Sequence, residues 1–310
     1  EAEGSHAGTL LDFVNYLAAK IEPEFPQVAV DTLAYPYTRK PPRTIKPRPN
    51  VIVRLCSIDC NFREPLEAPA NAKFADDIRG WETICKRLYI WDYTTDFAHY
   101  VQPHPNWFVL GPNVRFFAGH NVRGLFEQGA YQSHGSEFSE LRSWVLAQLL
   151  WDPRKDDRSL INTFLDGYYG KDAAPFIRDY LDLMHAASAG WNLTCFSRTD
   201  TPFHNFKTLS AAERLWRQAE TASAGAPDQL RRVRRGRMWL GYVWLNLWDK
   251  LRKECADARA DWPMPGSRKA DAAEWLELAQ GDPDHPWTKV TCVNESGVTP
   301  AKFVERFAND

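Results

Sequence analysis

Leu88-Tyr-Ile-Trp-Asp92 and Val122-Arg-Gly-Leu-Phe-Glu127 decide how this chain reads. Each is a short apolar run that closes on a carboxylate. Each follows a helical stretch. Before the first run, Phe74 to about Arg87 carries Ile78, Trp81, Ile84 and Cys85 on one face; before the second lies Trp107–His120, interrupted by Pro112. Working upstream, Val51-Ile-Val-Arg-Leu-Cys56 and Val28-Ala-Val-Asp-Thr-Leu-Ala34 are two more strand candidates. The prolines of Tyr35-Pro-Tyr-Thr-Arg-Lys-Pro-Pro42 stop the earlier one, because proline removes ladder donors. An amphipathic helix over 6–22, with Ser5 as its N-cap, precedes them and ends at Pro23 and Pro26. Strands apolar on both faces, alternating with helices, point to a parallel sheet covered by helices. That sheet is either an α/β barrel or an open doubly wound sheet.

Downstream the character changes. Leu141–Leu150, Leu160–Gly167, Ala174–Ala187, Ala211–Ala222 and a long stretch from Pro227 to about Ala256 read as helices, with a weaker one near Ala272–Ala279. The reading is therefore an α/β part over 1–136 and a mainly helical region over 137–310. The 310 residues carry 38 basic and 40 acidic side chains, a net charge of −2, which gives no field for nucleic acid or an anionic membrane. Arg231-Arg-Val-Arg-Arg-Gly-Arg237 is the one basic run, and at the start of an amphipathic helix it reads as a solvated face. No apolar run reaches the roughly 18–20 residues of a membrane helix. The six cysteines fit no zinc spacing and read as mostly buried thiols. Most of the 13 tryptophans read as helical core.

In parallel α/β sheets the chemistry sits at the carboxyl ends of strands. The residues there are Tyr35 and Tyr37, Cys56 to Cys60, Asp92 and Tyr93, and Glu127 to Tyr131. Asp92 and Glu127 on adjacent strands would line one mouth. Two carboxylates flanking a substrate are what glycosidic cleavage needs: one protonates the leaving oxygen, the other activates water or stabilises positive charge. A purely structural role, capping a helix or pairing with Arg54 or Arg123, fits the same spacing. The tyrosines could form a sugar-stacking wall, and Trp91 serves equally as core. His99, His104 and His134 lack a metal-ligand partner set. No dinucleotide, P-loop or nucleophile-elbow motif is present, so neither a cofactor nor a metal is expected.

Taken in order, Glu3-Gly-Ser5, Asp31-Thr-Leu-Ala-Tyr35, Tyr37-Thr-Arg-Lys-Pro-Pro42, Val51–Cys56, Tyr89-Ile-Trp-Asp-Tyr-Thr94, Gly124-Leu-Phe-Glu-Gln-Gly129, Glu137-Phe, Leu149-Leu-Trp-Asp-Pro153 and Gly167-Tyr-Tyr-Gly170 resemble the bacterial domain-of-unknown-function family numbered 4838. That family overlaps a glycoside hydrolase family of endo-β-N-acetylglucosaminidases acting on complex N-glycans. Tyr168–Met184 is also similar to the region after the barrel in bacterial α-glucuronidases. The resemblance implies a (β/α)₈ TIM-type barrel whose C-terminal half is this chain, followed by a helical region. The upstream half would lie in the same longer chain, in keeping with an opening on Glu1 that shows no signal peptide. It further implies a periplasmic or extracellular hydrolase of β-N-acetylglucosaminyl linkages, in which the substrate's own acetamide can serve as nucleophile. Glu127 is then the general acid and Asp92 the auxiliary carboxylate. Tyr35, Tyr37, Arg54, Trp91, Tyr93, Gln128, Tyr131 and His134 would contact an oligosaccharide or glycan. A non-catalytic glycan-binding module on the same scaffold is the alternative, and an assembly module with an aromatic helical interface is a third reading.

Overall fold

A computed structural model of the chain describes residues 3–308. Helix α1 (Ala7–Ile21), strand β1 (Val30–Ala34), β2 (Val51–Cys56), α2 (Ala72–Glu82), β3 (Leu88–Tyr93), α3 (Leu110–Ala118) and β4 (Val122–Gln128) come first. They are followed by α4 (Ser139–Trp151), α5 (Asp157–Tyr168), α6 (Ala174–Ala187), α7 (Phe206–Ala222), α8 (Pro227–Asn246), α9 (Trp248–Asp257), α10 (Arg268–Ala279) and α11 (Pro300–Val304). The protein is thus a mixed α/β chain with one four-stranded parallel sheet and many helices. It divides into two compact units. One runs to Thr94 and takes in Val109–Gln128; the other comprises Thr95–Phe108 and the chain from Gly129 onward.

In the first unit the strands lie in chain order, β1-β2-β3-β4, all parallel. Side chains alternate between the faces of a strand. One face carries Val51, Val53, Leu55, Leu88 and Ile90, each no more than 1% exposed. Helix α1 lies against β1 and β2, and α3 against β4. Leu11, Val14, Ala18, Phe74, Ile78, Trp81, Val114 and Phe117 complete the buried set of this unit. The other face carries Leu33, Arg54, Tyr89, Trp91 and Phe126. There Leu33 is 41% and Phe126 44% exposed. Strands apolar on both faces predicted burial on both; the structure buries one face well and leaves large apolar side chains open on the other. Helix α1 opens at His6 with no side-chain cap, so Ser5 is not its cap.

Arg39 holds the loop after β1 in place. It is buried, its guanidinium donates to Asp77 at 2.8 Å and to Asp59, and it lies over the Phe74 ring at 5.1 Å. Its carbonyl accepts from the Trp81 indole. Beside it, Pro41 packs so closely on Gly80 that a Cβ there would meet the ring at 2.6 Å. Loop and helix α2 are therefore joined by charge, stacking and close approach together.

The second unit is helical around an aromatic core. Phe138 lies 5.7 Å from Trp107, 6.1 Å from Tyr180 and 6.1 Å from Trp216, ring centre to ring centre. Helices α7 and α8 meet at Gly236, where a Cβ would strike the Trp216 ring at 2.4 Å. Arg142 of α4 is buried. It pairs with buried Glu137 at 2.6 Å and donates to Asn106 Oδ1 at 2.8 Å and the His104 carbonyl at 2.7 Å. Phe138, between the paired residues, takes a left-handed φ of 45°, rare for a bulky side chain.

Three sequence expectations change here. The long helix over 227–256 breaks at Leu247, which has φ −106° and ψ 17°. The apolar stripe Leu240, Val243, Trp244, Leu247, Trp248 and Leu251 runs straight through the break, so periodicity does not reveal it. The basic run is not a uniformly solvated face: Arg235 is only 8% exposed and pairs with Glu140 at 2.5 Å. Tyr93 belongs to β3 and Gln128 to β4, because the ladder runs past both carboxylates. The six cysteines are all buried free thiols. No helix among the described residues is long and apolar enough to cross a membrane.

Removing one partner of a buried ion pair strands the other charge, whereas exposed pairs contribute little. Arg39→Met should therefore lower unfolding stability by about 3 kcal/mol. Arg79→Ala, which breaks the exposed Arg79–Asp76 pair on the same helix, should cost less than about 1 kcal/mol. Urea denaturation of both variants checks this, and equal losses would contradict the role given to Arg39.

Candidate carboxylate site

The site is set by the register of β3 and β4. Asp92 pairs with Glu127 and Tyr93 with Gln128. Register partners in a parallel ladder point to the same face, so the two carboxylates stand side by side on strands about 4.8 Å apart. By alternation that is the face of Ile90 and Leu125. Asp92 is 6% exposed and Glu127 is partly exposed.

The two carboxyls differ in support. The Ser57 hydroxyl donates to Asp92 Oδ1, and the Tyr93 amide donates to the same oxygen at 2.9 Å. Burial raises the Asp92 pKa, and these two hydrogen bonds oppose the rise. Among the described residues no donor opposes the rise at Glu127. Burial first, and then the charge of Asp92, push its carboxyl well above the usual range. Two carboxylates this close cannot both ionise cheaply. The pair therefore holds a proton at pH values where isolated carboxyls have lost theirs, and Glu127 is the better seat for it.

The remaining predicted residues of this unit stand elsewhere. Trp91 packs edge-on to Phe126 at 5.0 Å, and its indole donates to Gln128 Oε1 at 2.6 Å. Consecutive residues face opposite ways, so Trp91, Phe126 and Gln128 occupy the open face while Asp92 and Glu127 occupy the other. Arg54 is on that open face too. It pairs with Asp31 at 2.7 Å and stacks over Tyr89 at 5.5 Å, bonded to neither carboxylate. The Tyr89 ring lies over Gly124, where a Cβ would sit 2.7 Å from it. Tyr93 is 7% exposed and packs edge-on to Phe62 at 6.3 Å. Tyr35 and Tyr37 are exposed, as expected of a Pro-flanked loop. They follow β1, three strand spacings or roughly 14 Å from β4. Tyr37 rests edge-on against His6 at 5.7 Å.

Tyr131 and His134 belong to the second unit. Tyr131 is 61% exposed and tilts toward Phe97 at 6.3 Å, and the His134 amide donates to Thr291 Oγ1 at 3.4 Å. His99 lies there as well, bonded to the Tyr242 hydroxyl at 2.9 Å, with burial lowering its pKa to about 4. Ser57 enters the sequence reading only as part of the strand-end span Cys56 to Cys60, with no role of its own. Its position directly after β2 is the signal that could have found it.

A carboxyl whose pKa is raised by folding stabilises the protein while protonated, and that contribution is lost as pH climbs from the unfolded value through the folded one. Glu127→Gln should flatten the fall in stability above about pH 4.5 and leave the protein more stable than wild type at pH 8. Urea midpoints at pH 5 and pH 8 test this. An unchanged difference between the two pH values would mean that Glu127 ionises normally.

No curated protein and no solved structure matches the chain. One family model does match, over residues 1–182, a span that holds all four strands, Asp92 and Glu127. The chain belongs to that family, Domain of unknown function (DUF4838).

Proposed function

We propose that the chain carries the acid/base pair of a glycoside hydrolase acting on β-N-acetylglucosaminyl linkages of complex glycans. The observation that carries this is the side-by-side pairing of Asp92 with Glu127 at the carboxyl ends of adjacent parallel strands. Glu127, with its raised pKa, is the general acid that protonates the glycosidic oxygen. Asp92, held by Ser57 and the Tyr93 amide, stays charged and orients the N–H of the substrate's acetamide. The acetamide oxygen then attacks the anomeric carbon as the bond to the leaving oxygen breaks. Water afterwards opens the resulting ring, giving its proton back to Glu127. A pair that shares one proton fits this division of labour, since one member must be neutral and the other charged.

The reading extends to the fold. Parallel strands in sequential order fit the winding of a (β/α)₈ barrel, whose right-handed crossovers put the helices on one face. A doubly wound sheet reverses its order and covers both faces. Leu33 and Phe126 leave one face of the sheet open, opposite the face that carries Asp92 and Glu127. That open face favours the second reading, a glycan-binding module, because Trp91 and Phe126 offer partly open apolar rings, set edge-on to one another, beside the Gln128 amide.

The test is turnover of a β-N-acetylglucosaminyl oligosaccharide by the full-length protein. Glu127→Gln should slow it by about 10²–10⁴-fold with substrate still bound. Near-normal turnover in that variant would end the acid assignment. Saturable binding without product, weakened by Trp91→Ala and not by Glu127→Gln, would establish the binding module instead.

A further inference from the structure

A second site lies in the helical unit and owes nothing to the carboxylate pair. A cavity of about 500 Å³ opens over the first turns of α8. Arg231, Arg232, Arg234 and Arg235 line it, with Tyr168 and Trp287 beside them. Four arginines in one cavity raise the question of which are already neutralised. Arg231 pairs with Asp228 at 2.7 Å and with Asp282 at 3.1 Å. Arg235 pairs with Glu140 at 2.5 Å and donates to the Thr288 carbonyl at 3.0 Å. Its Nη2 is buried and bonded to nothing among the described residues. Glu274, on the cavity wall, pairs with Arg237, which does not line the cavity.

Arg232 and Arg234 remain. Neither has a carboxylate partner among the described residues. Arg232 is held in place: it donates to the Tyr168 carbonyl at 2.9 Å and lies over the Tyr168 ring at 4.8 Å. A guanidinium fixed by one nitrogen and one stacked face keeps the rest of its donor fork free for an oxyanion. Arg234 is exposed and lines the same cavity. Glu277 is the one lining carboxylate with no ion-pair partner among the described residues, and the lining itself sets four arginines against three carboxylates, Glu274, Glu277 and Asp282. Trp287, 56% exposed, presents its ring at the same cavity, with His285 edge-on to it at 4.9 Å. An unpaired guanidinium fork next to an open indole suits a ligand that joins an oxyanion to a flat or apolar-faced ring.

We propose that this cavity binds a small acidic ligand, a ring bearing a carboxylate or a phosphate, with Arg232 and Arg234 gripping the anion and Trp287 stacking on the ring. Titration calorimetry on the full-length protein at low salt tests it, with inorganic phosphate, glucose 6-phosphate, galacturonate and neutral galactose as probes. Binding of glucose 6-phosphate or of galacturonate, and not of galactose, is expected; which of the two binds tells a phosphate source from a carboxylate one. Arg232→Ala/Arg234→Ala should weaken the bound acid by at least about tenfold. Trp287→Ala should weaken the ring-bearing acid and leave inorganic phosphate unchanged. Arg234→Ala alone touches an exposed, unpaired side chain, so it keeps the fold intact and should still lower affinity. No binding of any acidic probe, or binding indifferent to the arginine substitutions, would overturn the proposal.

Discussion

The first unit depends on the parallel register between β3 and β4. A strand ladder fixes which residues stand opposite one another, and shifting it by one would turn every side chain to the other face. In this register Ile90 faces Leu125, Trp91 faces Phe126 and Asp92 faces Glu127. The same hydrogen bonds that align the apolar core therefore force two carboxylates together at its end. The core cannot be kept and the charges separated without changing residues. The raised pKa of Glu127 follows first from its burial and second from the Asp92 charge that this register sets beside it.

The sheet's two faces then carry different work. One is closed by apolar side chains and holds the carboxylates at its rim. The other is open, with Arg54, Tyr89, Trp91 and Phe126 in a cross-strand ladder of cation–π and edge-on contacts. Such contacts between register partners stabilise a ladder by tenths of a kcal/mol to about 1 kcal/mol each. They keep the open face ordered with its large rings partly in water. Gly124 is required for this, since any side chain there would displace the Tyr89 ring.

Much of this was legible in the residues. Four apolar runs spaced by helical stretches specify a parallel sheet, and the strand-end rule leads directly to Asp92 and Glu127. Period-two alternation was legible too, and it separates Trp91 from Asp92; grouping both at one mouth overlooks it. The exposure of Leu33 and Phe126 was not legible, because apolar residue types are the same whether a face is covered or open. Nor was Arg39. An arginine among prolines reads as solvated, and its partner Asp77 lies 38 positions away. Arg235 was hidden for the same reason: in a basic run, only the packing of distant Glu140 and Thr288 tells the buried member from its neighbours.

The most direct measurement of the central claim is a carboxyl ¹³C NMR titration of the full-length protein, with Glu127 and Asp92 assigned through Glu127→Gln and Asp92→Asn. The account expects the pair to titrate in two separated steps, the upper one well above the ordinary glutamate range and moved down by Asp92→Asn. Both carboxyls titrating together near their ordinary values would contradict it.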